Sequence, residues 1–119
     1  MMTTGRDTVD DVLTALADPT RRRLLDLLAE AGEATSTTLA AGMPISRQAV
    51  VKHLGVLDAA GLVTGERVGR EVRYTVRPAA LDATARWMAS RAAAWDRRLA
   101  RIKGIAEAAE VGSREQRRD

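Results

Sequence analysis

The sequence predicts a mainly helical protein with one small β-hairpin. Apolar residues recur at helical spacing along most of the chain, and only the segment 62–77 alternates apolar and polar residues with the period of two that is typical of strands. The 119 residues suit one compact domain. Because 45% of the residues are apolar but only 3% are aromatic, the core has to be built from Leu, Val, Ile and Ala, which also favours helices.

The first two helices are predicted by apolar spacing and by helix caps. Residues 1–6 are polar, and we expect them to be disordered. A first amphipathic helix over about 7–17 is indicated by apolar residues at helical spacing, which are Val9, Val12, Leu13 and Leu16. The Asp-Pro pair at 18–19 is typical of a helix start, because Asp caps free N–H groups and Pro fits the first helical position. A second helix therefore runs to about Ala31, and Gly32 ends it.

A short helix, a tight connection and a second capped helix follow, and together they predict a helix-turn-helix. Thr35 is the N-cap of the short helix, which is expected over about 36–42. Ser46 caps the next helix, which is predicted over 46–60 and closed by Gly61. One face of this fourth helix carries an apolar stripe that anchors it, formed by Val50, Leu54 and Leu57.

The hairpin is predicted where the apolar period changes from 3.6 to two. Strands are expected over about 62–67 and 71–77, with Gly69 supplying the positive φ of the turn between them. A hairpin that follows a helix-turn-helix makes the predicted fold a winged helix-turn-helix, with the element order α-α-α-α-β-β-α.

The last helix is predicted over 79–103, after Pro78. Its apolar residues follow a heptad pattern through Leu81, Ala85, Met88, Ala92, Trp95, Leu99 and Ile102. Packing against its own domain is one interpretation of this seam. We favour packing against a second copy, because the first helix also has an apolar face to bury. The predicted dimer interface is therefore Val9, Val12, Leu13, Leu16, Leu81, Met88, Ala92, Trp95, Leu99 and Ile102.

The domain organisation follows from these elements. One winged-helix domain is predicted over 7–103, with dimerisation helices at 7–17 and 79–103. Residues 104–119 are polar, and we expect them to form a disordered tail.

The charge distribution makes the middle of the chain a candidate surface for a polyanion. The net charge is only +3, yet residues 46–77 carry six cations against three acids. The exposed face of the fourth helix begins with Arg47 and Gln48, which suit guanine and adenine edges in a major groove. Val51 suits a thymine methyl group, and Lys52 suits a base or a phosphate. An ordinary solvated helix face is the alternative interpretation, and the adjoining hairpin argues against it.

The hairpin and the third helix add further candidate contacts to double-stranded DNA. Arg70, beside Gly69 at the tip, is placed for a minor groove, whose negative potential attracts Arg. Arg67 and Arg73 are expected to contact phosphates or to pair with Glu66 and Glu71 across the hairpin. The hydroxyls of Ser36 and Thr37, at the start of the third helix, suit a phosphate, although simple helix capping explains them equally well.

Several other functions are disfavoured by composition. The chain has no Cys and a single His, His53, so we expect no transition-metal site and no cofactor. Ser46 and His53 lie seven residues apart on one helix, about 10 Å in rise, so they do not form a catalytic pair and we expect no enzyme activity. Without a transmembrane run or an apolar leader, a soluble cytoplasmic protein is expected. A winged helix used only for protein–protein contact remains an alternative, and the cationic reading face argues against it.

Three stretches in this order resemble the ArsR-type winged-helix transcriptional repressors: LADPTRRRLLDLL at 16–28, SRQAVVKHLGVLDAAGLV at 46–63 and RVGREVRYTV at 67–76. The resemblance implies a homodimer with the first and last helices at its interface, bound to an inverted-repeat operator that is often the protein's own promoter. It also implies that the DNA-facing residues are Ser46, Arg47, Gln48, Val51 and Lys52, with Arg70 at the wing tip.

The chain departs from the metal-sensing members of that family. Those carry Cys on the third helix or His and carboxylate ligands on the last, whereas the third helix here reads STTLAAG and the last has neither His nor Cys. The last helix, with Trp87, Trp95 and the stretch RRLARI, resembles the branch without metal sites. No metal sensing of the usual kind is therefore expected, and the sequence does not reveal a small-molecule inducer.

Overall fold

The computed structural model describes the backbone of residues 5–118 and the surroundings of the side chains of residues 8–112. In chain order the elements are α1 (Gly5–Leu16), α2 (Pro19–Ala31), β1 (Ala34–Thr35), α3 (Ser36–Ala41), α4 (Arg47–Ala59), β2 (Val63–Val68), β3 (Glu71–Val76) and α5 (Pro78–Arg118). The chain divides into two compact units, the first ending at Ala85 and the second beginning at Arg86. The predicted winged helix-turn-helix is confirmed in the first unit.

The predicted caps are confirmed at both ends of α2 and of α4. The Asp18 carboxylate accepts from the Thr20 N–H at 2.7 Å, and Gly32 ends the helix with a φ of 79°. At the end of α4, Leu62 N–H donates to the Leu57 carbonyl at 2.9 Å, and Gly61 has a φ of 78°. This pair of features is a Schellman motif, which only a residue tolerant of positive φ can close.

The sheet has three antiparallel strands in the order β1-β3-β2, one strand more than the sequence predicted. The missed strand, β1, pairs Ala34 with Tyr74, and a strand of two residues carries no period to detect. The hairpin between β2 and β3 closes through a two-residue turn, with Val68 opposite Glu71 and Gly69 at a φ of 65°. The predicted turn is therefore confirmed.

Interlocking aliphatic residues from α1, α2, α4 and β2 form the core of the first unit. The largest fully buried side chains are Leu24, Leu28, Leu54, Leu57, Leu62, Val12, Val50 and Val63. Val9 is also buried, at 3% exposure. The placement of Val9 and Val12 at a dimer interface is therefore wrong, because a single chain already buries the face of α1 that carries them. Leu13, 38% exposed, lies on the face that the chain leaves open.

Two arginines of α2 whose role the sequence does not predict bind the end of α1. Arg21 donates from Nε to the Ala15 carbonyl at 2.7 Å and from Nη2 to the Thr14 carbonyl at 3.1 Å. Arg22 donates from Nη1 to the Leu16 carbonyl at 2.6 Å. These are carbonyls of the last helical turn, which have no partner within their own helix. Arginine side chains therefore cap α1 from the neighbouring helix.

The ends of the first and last helices differ from the sequence predictions. α1 begins at Gly5, so Gly5 and Arg6 are helical where disorder was expected, and residues 1–4 lie outside the described residues. Acidic residues early in α1 favour this start, because they complement the positive helix N-terminus. α5 runs to Arg118, so the predicted end at 103 and the predicted disordered tail are wrong over 104–118. That segment is polar but rich in Ala and Glu, which are strong helix formers.

Candidate nucleic-acid interface

The N-terminal half of α4 presents a polar face on a firmly anchored helix. The Ser46 hydroxyl caps the helix by accepting from the Ala49 N–H at 3.1 Å. The opposite face is held in the core through Val50, Leu54 and Leu57, each 0% exposed. All five residues that were predicted to face DNA from this helix are exposed, and they are Ser46, Arg47, Gln48, Val51 and Lys52.

At the start of α3, two hydroxyl side chains cap the helix and two others do not. Thr35 Oγ1 accepts from the Thr38 N–H at 3.2 Å and lies 3.0 Å from the Thr38 hydroxyl, so these two residues form the cap. Ser36 and Thr37 take no part in that cap, and Thr37 is exposed. Capping therefore does not account for the two hydroxyls that were predicted to meet a phosphate.

The wing carries three exposed arginines in different settings. Arg70 lies in the two-residue turn at the tip, and Arg67 lies on β2 opposite Val72. Arg73 has its Nη1 3.3 Å from Glu33 Oε1 and its Nε 3.8 Å from Glu71 Oε2. Of its two predicted acidic partners Arg73 engages Glu71 and not Glu66, although Glu66 lies opposite it in the register. The second partner, Glu33, precedes β1, the strand that the sequence did not reveal.

A groove between α3, α4 and the wing brings the predicted residues together, and we call it the interface groove. Ser36 and Thr37 line it from α3, Arg47 and Val51 from α4, and Arg70 from the wing tip. The other predicted contacts, Ser46, Gln48, Lys52, Arg67 and Arg73, do not line it. Two guanidinium groups beside hydroxyls make a surface suited to phosphates and base edges.

Part of the interface groove is not predicted by the sequence. Val72, Tyr74 and Glu71 of β3 line it together with the capping threonines of α3. Tyr74 lies opposite Gly65 in the register, and a Cβ on Gly65 would come within 3.0 Å of the Tyr74 ring. The glycine therefore leaves room for the Tyr74 ring and the Val72 side chain beside β2. The alternation of Val72 and Tyr74 was a signal for their shared face, because every second residue of a strand points to the same side.

The residues predicted for the dimer interface differ in exposure. In the first unit Leu16 and Leu81 are half-buried and pack against the core, while Leu13 is exposed. In the second unit the heptad seam is open to solvent in the single chain: Met88 is 52% exposed, Trp95 58%, Leu99 58% and Ile102 61%, and Ala92 is exposed as well. Arg91 lies 5.3 Å from the ring of Trp87, and Arg98 lies 5.4 Å from the ring of Trp95, both as cation–π contacts.

His53 is half-buried at the edge of the exposed face of α4, and its charge contributes to lowering the pKa of Asp18. Desolvation raises the pKa of the Asp18 carboxyl, but the N–H donors of Thr20 and Arg21 and the charges of Arg21 and His53 outweigh it. The pKa of Asp18 therefore lies below its ordinary value.

Within the part of the chain that the structure describes, no three His, Cys, Asp or Glu residues are grouped to hold a metal ion. Nor is any helix among the described residues long and apolar enough to cross a membrane.

The chain is similar in sequence and in fold to known proteins. A family model for a helix-turn-helix domain matches residues 16–66. The transcriptional repressor SdpR of Bacillus subtilis is 32% identical over 80 residues, which are 67% of this chain and 88% of that protein. The ArsR-like transcriptional regulator of Rhodococcus sp. RHA1 matches with a TM-score of 0.75 and 45% identity, over 83% of this chain and 92% of that one.

A second similar structure is a homodimeric winged helix-turn-helix DNA-binding domain from Mycobacterium bovis, described as a possible ArsR-family transcriptional regulator. It matches with a TM-score of 0.57 and 31% identity, over 78% of this chain and 82% of that one. With the winged helix-turn-helix of the first unit, these similarities show that the chain belongs to the ArsR-type family of winged helix-turn-helix transcriptional repressors.

Proposed function

We propose that this protein binds an inverted-repeat operator in double-stranded DNA as a homodimer, in the cytoplasm, and represses transcription there without sensing a metal. The observation that carries the proposal is the interface groove, which has Arg47 on one side and Arg70 on the other. The family is one of transcription factors, and an enzyme function has no support in the site.

The start of α4 is the reading element of the proposed complex. Residues in the first turn of a recognition helix meet base edges, and Arg47 and Gln48 occupy that turn. Arg47 is assigned to guanine O6 and N7, and Gln48 to adenine N6 and N7. Val51 is an aliphatic side chain that is 43% exposed, and it suits a thymine methyl group.

The wing and α3 are assigned to positioning. Arg70 enters the adjacent minor groove, and Arg67 meets a phosphate. Ser36 and Thr37 donate to a phosphate from the start of α3, since the cap uses the other two hydroxyls there. Arg73 is held between two carboxylates, which supports a role in fixing the wing rather than in contacting DNA.

Dimerisation supplies the symmetry that an inverted repeat requires. The Mycobacterium bovis structure is a homodimer, which supports the same state for this chain. The exposed heptad seam of α5 and the open face of α1 at Leu13 supply apolar surface for a second copy. Two recognition helices related by a twofold axis then read two half-sites one helical turn apart.

Titration of duplex DNA from the protein's own promoter region tests the proposal. We expect binding that is about 10³-fold or more tighter than to a random duplex of equal length, and that weakens as salt rises. The random duplex controls for the nonspecific phosphate term. Equal affinity for the two duplexes at every salt concentration would refute operator recognition and favour a protein-binding role for the winged helix.

A further inference from the structure

A second groove lies beside the interface groove and has a different chemistry. It runs between α1 and the later turns of α4, and it has a volume of about 400 Å³. Its lining is formed by Asp11, Thr14, Ala15, Lys52, Gly55, Val56, Ala59 and Ala60. The size is at the lower end of the range for small-molecule sites. We call it the α1–α4 groove.

Both walls of the α1–α4 groove are held in place by the fold. On the α1 side, the carbonyls of Thr14 and Ala15 are bound by the guanidinium group of Arg21. On the α4 side, the helix is anchored by core residues at 0% exposure, among them Leu54 and Leu57. A ligand therefore meets a preformed surface and does not have to order it.

Gly55 has no packing reason to be glycine. It lies inside α4, where glycine is destabilising relative to alanine. A Cβ built at Gly55 would have no neighbouring atom within 4 Å, so no close approach within the chain requires its absence. The glycine instead widens the α1–α4 groove, whose lining also includes the small residues Ala15 and Ala59.

Two opposite charges line an otherwise apolar surface. Asp11 contributes a carboxylate from α1 and Lys52 an ammonium from α4, and Val56 is 38% exposed between the helices. Among the ion pairs formed by the residues that the structure describes, none involves Asp11 or Lys52. Each charge is therefore available to a ligand, and a ligand that satisfies both has to carry one group of each sign.

From this complementarity we infer that the α1–α4 groove binds a small apolar zwitterion of the amino-acid type. Its ammonium group pairs with Asp11, its carboxylate pairs with Lys52, and its apolar body lies on Val56 and Ala59. The inference has a regulatory consequence that rests on the proposed function. Lys52 is also a candidate DNA contact, so an occupied groove removes that cation from the DNA surface and weakens operator binding.

The test compares three probes that share one aromatic body. L-Phenylalanine carries both charges, 3-phenylpropionate only the carboxylate, and phenethylamine only the ammonium group. Each is titrated into the full-length ¹⁵N-labelled protein without DNA. We expect phenylalanine to shift the amide signals of Thr14, Gly55 and Ala59, and to bind about tenfold more tightly than either singly charged probe. Equal binding of the three probes, or no shift at these residues, would overturn the inference.

Two pairs of matched variants locate the site. Asp11→Asn should lower phenylalanine affinity to that of 3-phenylpropionate, while Asp10→Asn, on the same helix but outside the lining, should leave it unchanged. Ala59→Leu should abolish binding by filling the groove, whereas Ala29→Leu, at an exposed site of α2, should not. Both alanines are exposed, so the amide spectrum can confirm that each variant folds. Phenylalanine binding that survives Ala59→Leu would overturn the inference.

The regulatory consequence is measured separately, by adding phenylalanine to the operator titration. A weaker operator complex in the unaltered protein, but not in Asp11→Asn, supports the coupling. Failure of operator recognition itself would leave the probe titration valid, because that titration contains no DNA. A bound groove with no effect on operator affinity would overturn the coupling and keep the site.

Discussion

The two units of this chain differ in how far they bury their large apolar side chains. In the first unit Leu24, Leu54 and Leu57 are 0% exposed, whereas in the second unit Leu99 and Ile102 are 58% and 61% exposed. Burying such a side chain contributes about 1.5–3 kcal/mol, so the first unit gains this energy within one chain and the second gains it only from a partner. If the chain forms the proposed dimer, folding and association therefore depend on different residues, although α5 contributes to both units.

The largest expected effect separates these two roles through one kind of substitution. Leu54→Ala should lower the free energy of unfolding by about 2–5 kcal/mol, because it leaves a cavity in a closed core. Leu99→Ala should cost less, and its cost should grow with protein concentration, since its burial depends on a second copy. Urea unfolding followed by circular dichroism at two protein concentrations measures both. Equal costs that are independent of concentration would contradict the comparison.

A charge placed on the seam should act on association alone. Trp95→Asp should weaken the dimer by about 2–4 kcal/mol, because a large aromatic side chain in the centre of an interface is typical of a binding hot spot. Ala93→Asp puts the same charge on α5 outside the heptad seam and should leave the dimer intact. Sedimentation velocity over a dilution series gives the dissociation constants. A stable dimer in Trp95→Asp would move the interface elsewhere.

Within the first unit, DNA reading should be separable from both kinds of apolar packing. Arg47→Ala should cost about 1–3 kcal/mol of operator affinity and relax specificity at one base pair. Arg73→Ala should cost less than about 1 kcal/mol, because its guanidinium group is already paired with exposed carboxylates. Fluorescence anisotropy with the operator and with single-base variants of it measures both. Equal losses on every sequence would reassign Arg47 to a phosphate contact.

Local signals predicted most of the first unit. The caps at Asp18, Thr35 and Ser46 and the turn at Gly69 depend on residues within a few positions, so the sequence was sufficient to place them. Contacts between distant segments were not predicted. β1 exists because its two residues lie beside Tyr74 and Arg73, about forty positions later in the chain. The arginine caps on α1 and the burial of Val9 likewise depend on how helices pack, which periodicity does not specify.

In the candidate site, too, local features were predicted and contacts between distant segments were not. Periodicity and family resemblance predicted the exposed face of α4, but they did not predict which of its residues lie together in the interface groove. Arg47 and Val51 line that groove, while Lys52 lines the α1–α4 groove instead. Lys52 has a long side chain on the boundary between two surfaces, and only the position of α1 decides which surface it serves. The end of α5 is not predicted for another reason: polar composition is typical of disorder, yet this segment is helical because Ala and Glu have high helix propensity.

The smallest expected effect tests the charged contact by which Asp18 and Arg21 connect α2 to the end of α1 within the first unit. The pKa of Asp18 is lowered in the folded protein, because its donors and the nearby cations outweigh desolvation, so its carboxylate stabilises the fold at pH values above the ordinary pKa of 3.8. That contribution is lost as the pH falls through the lowered value, when the folded carboxylate takes up a proton.

Asp18→Asn keeps an oxygen that can cap the helix but removes the charge. Its free energy of unfolding should therefore fall less steeply than that of the unaltered protein between neutral pH and pH values below 3.8. Asp26→Asn, at an exposed site on the same helix, is the control and should retain the steeper fall. If the two variants gave the same pH dependence in urea unfolding, the charge of Asp18 would not be what stabilises this contact.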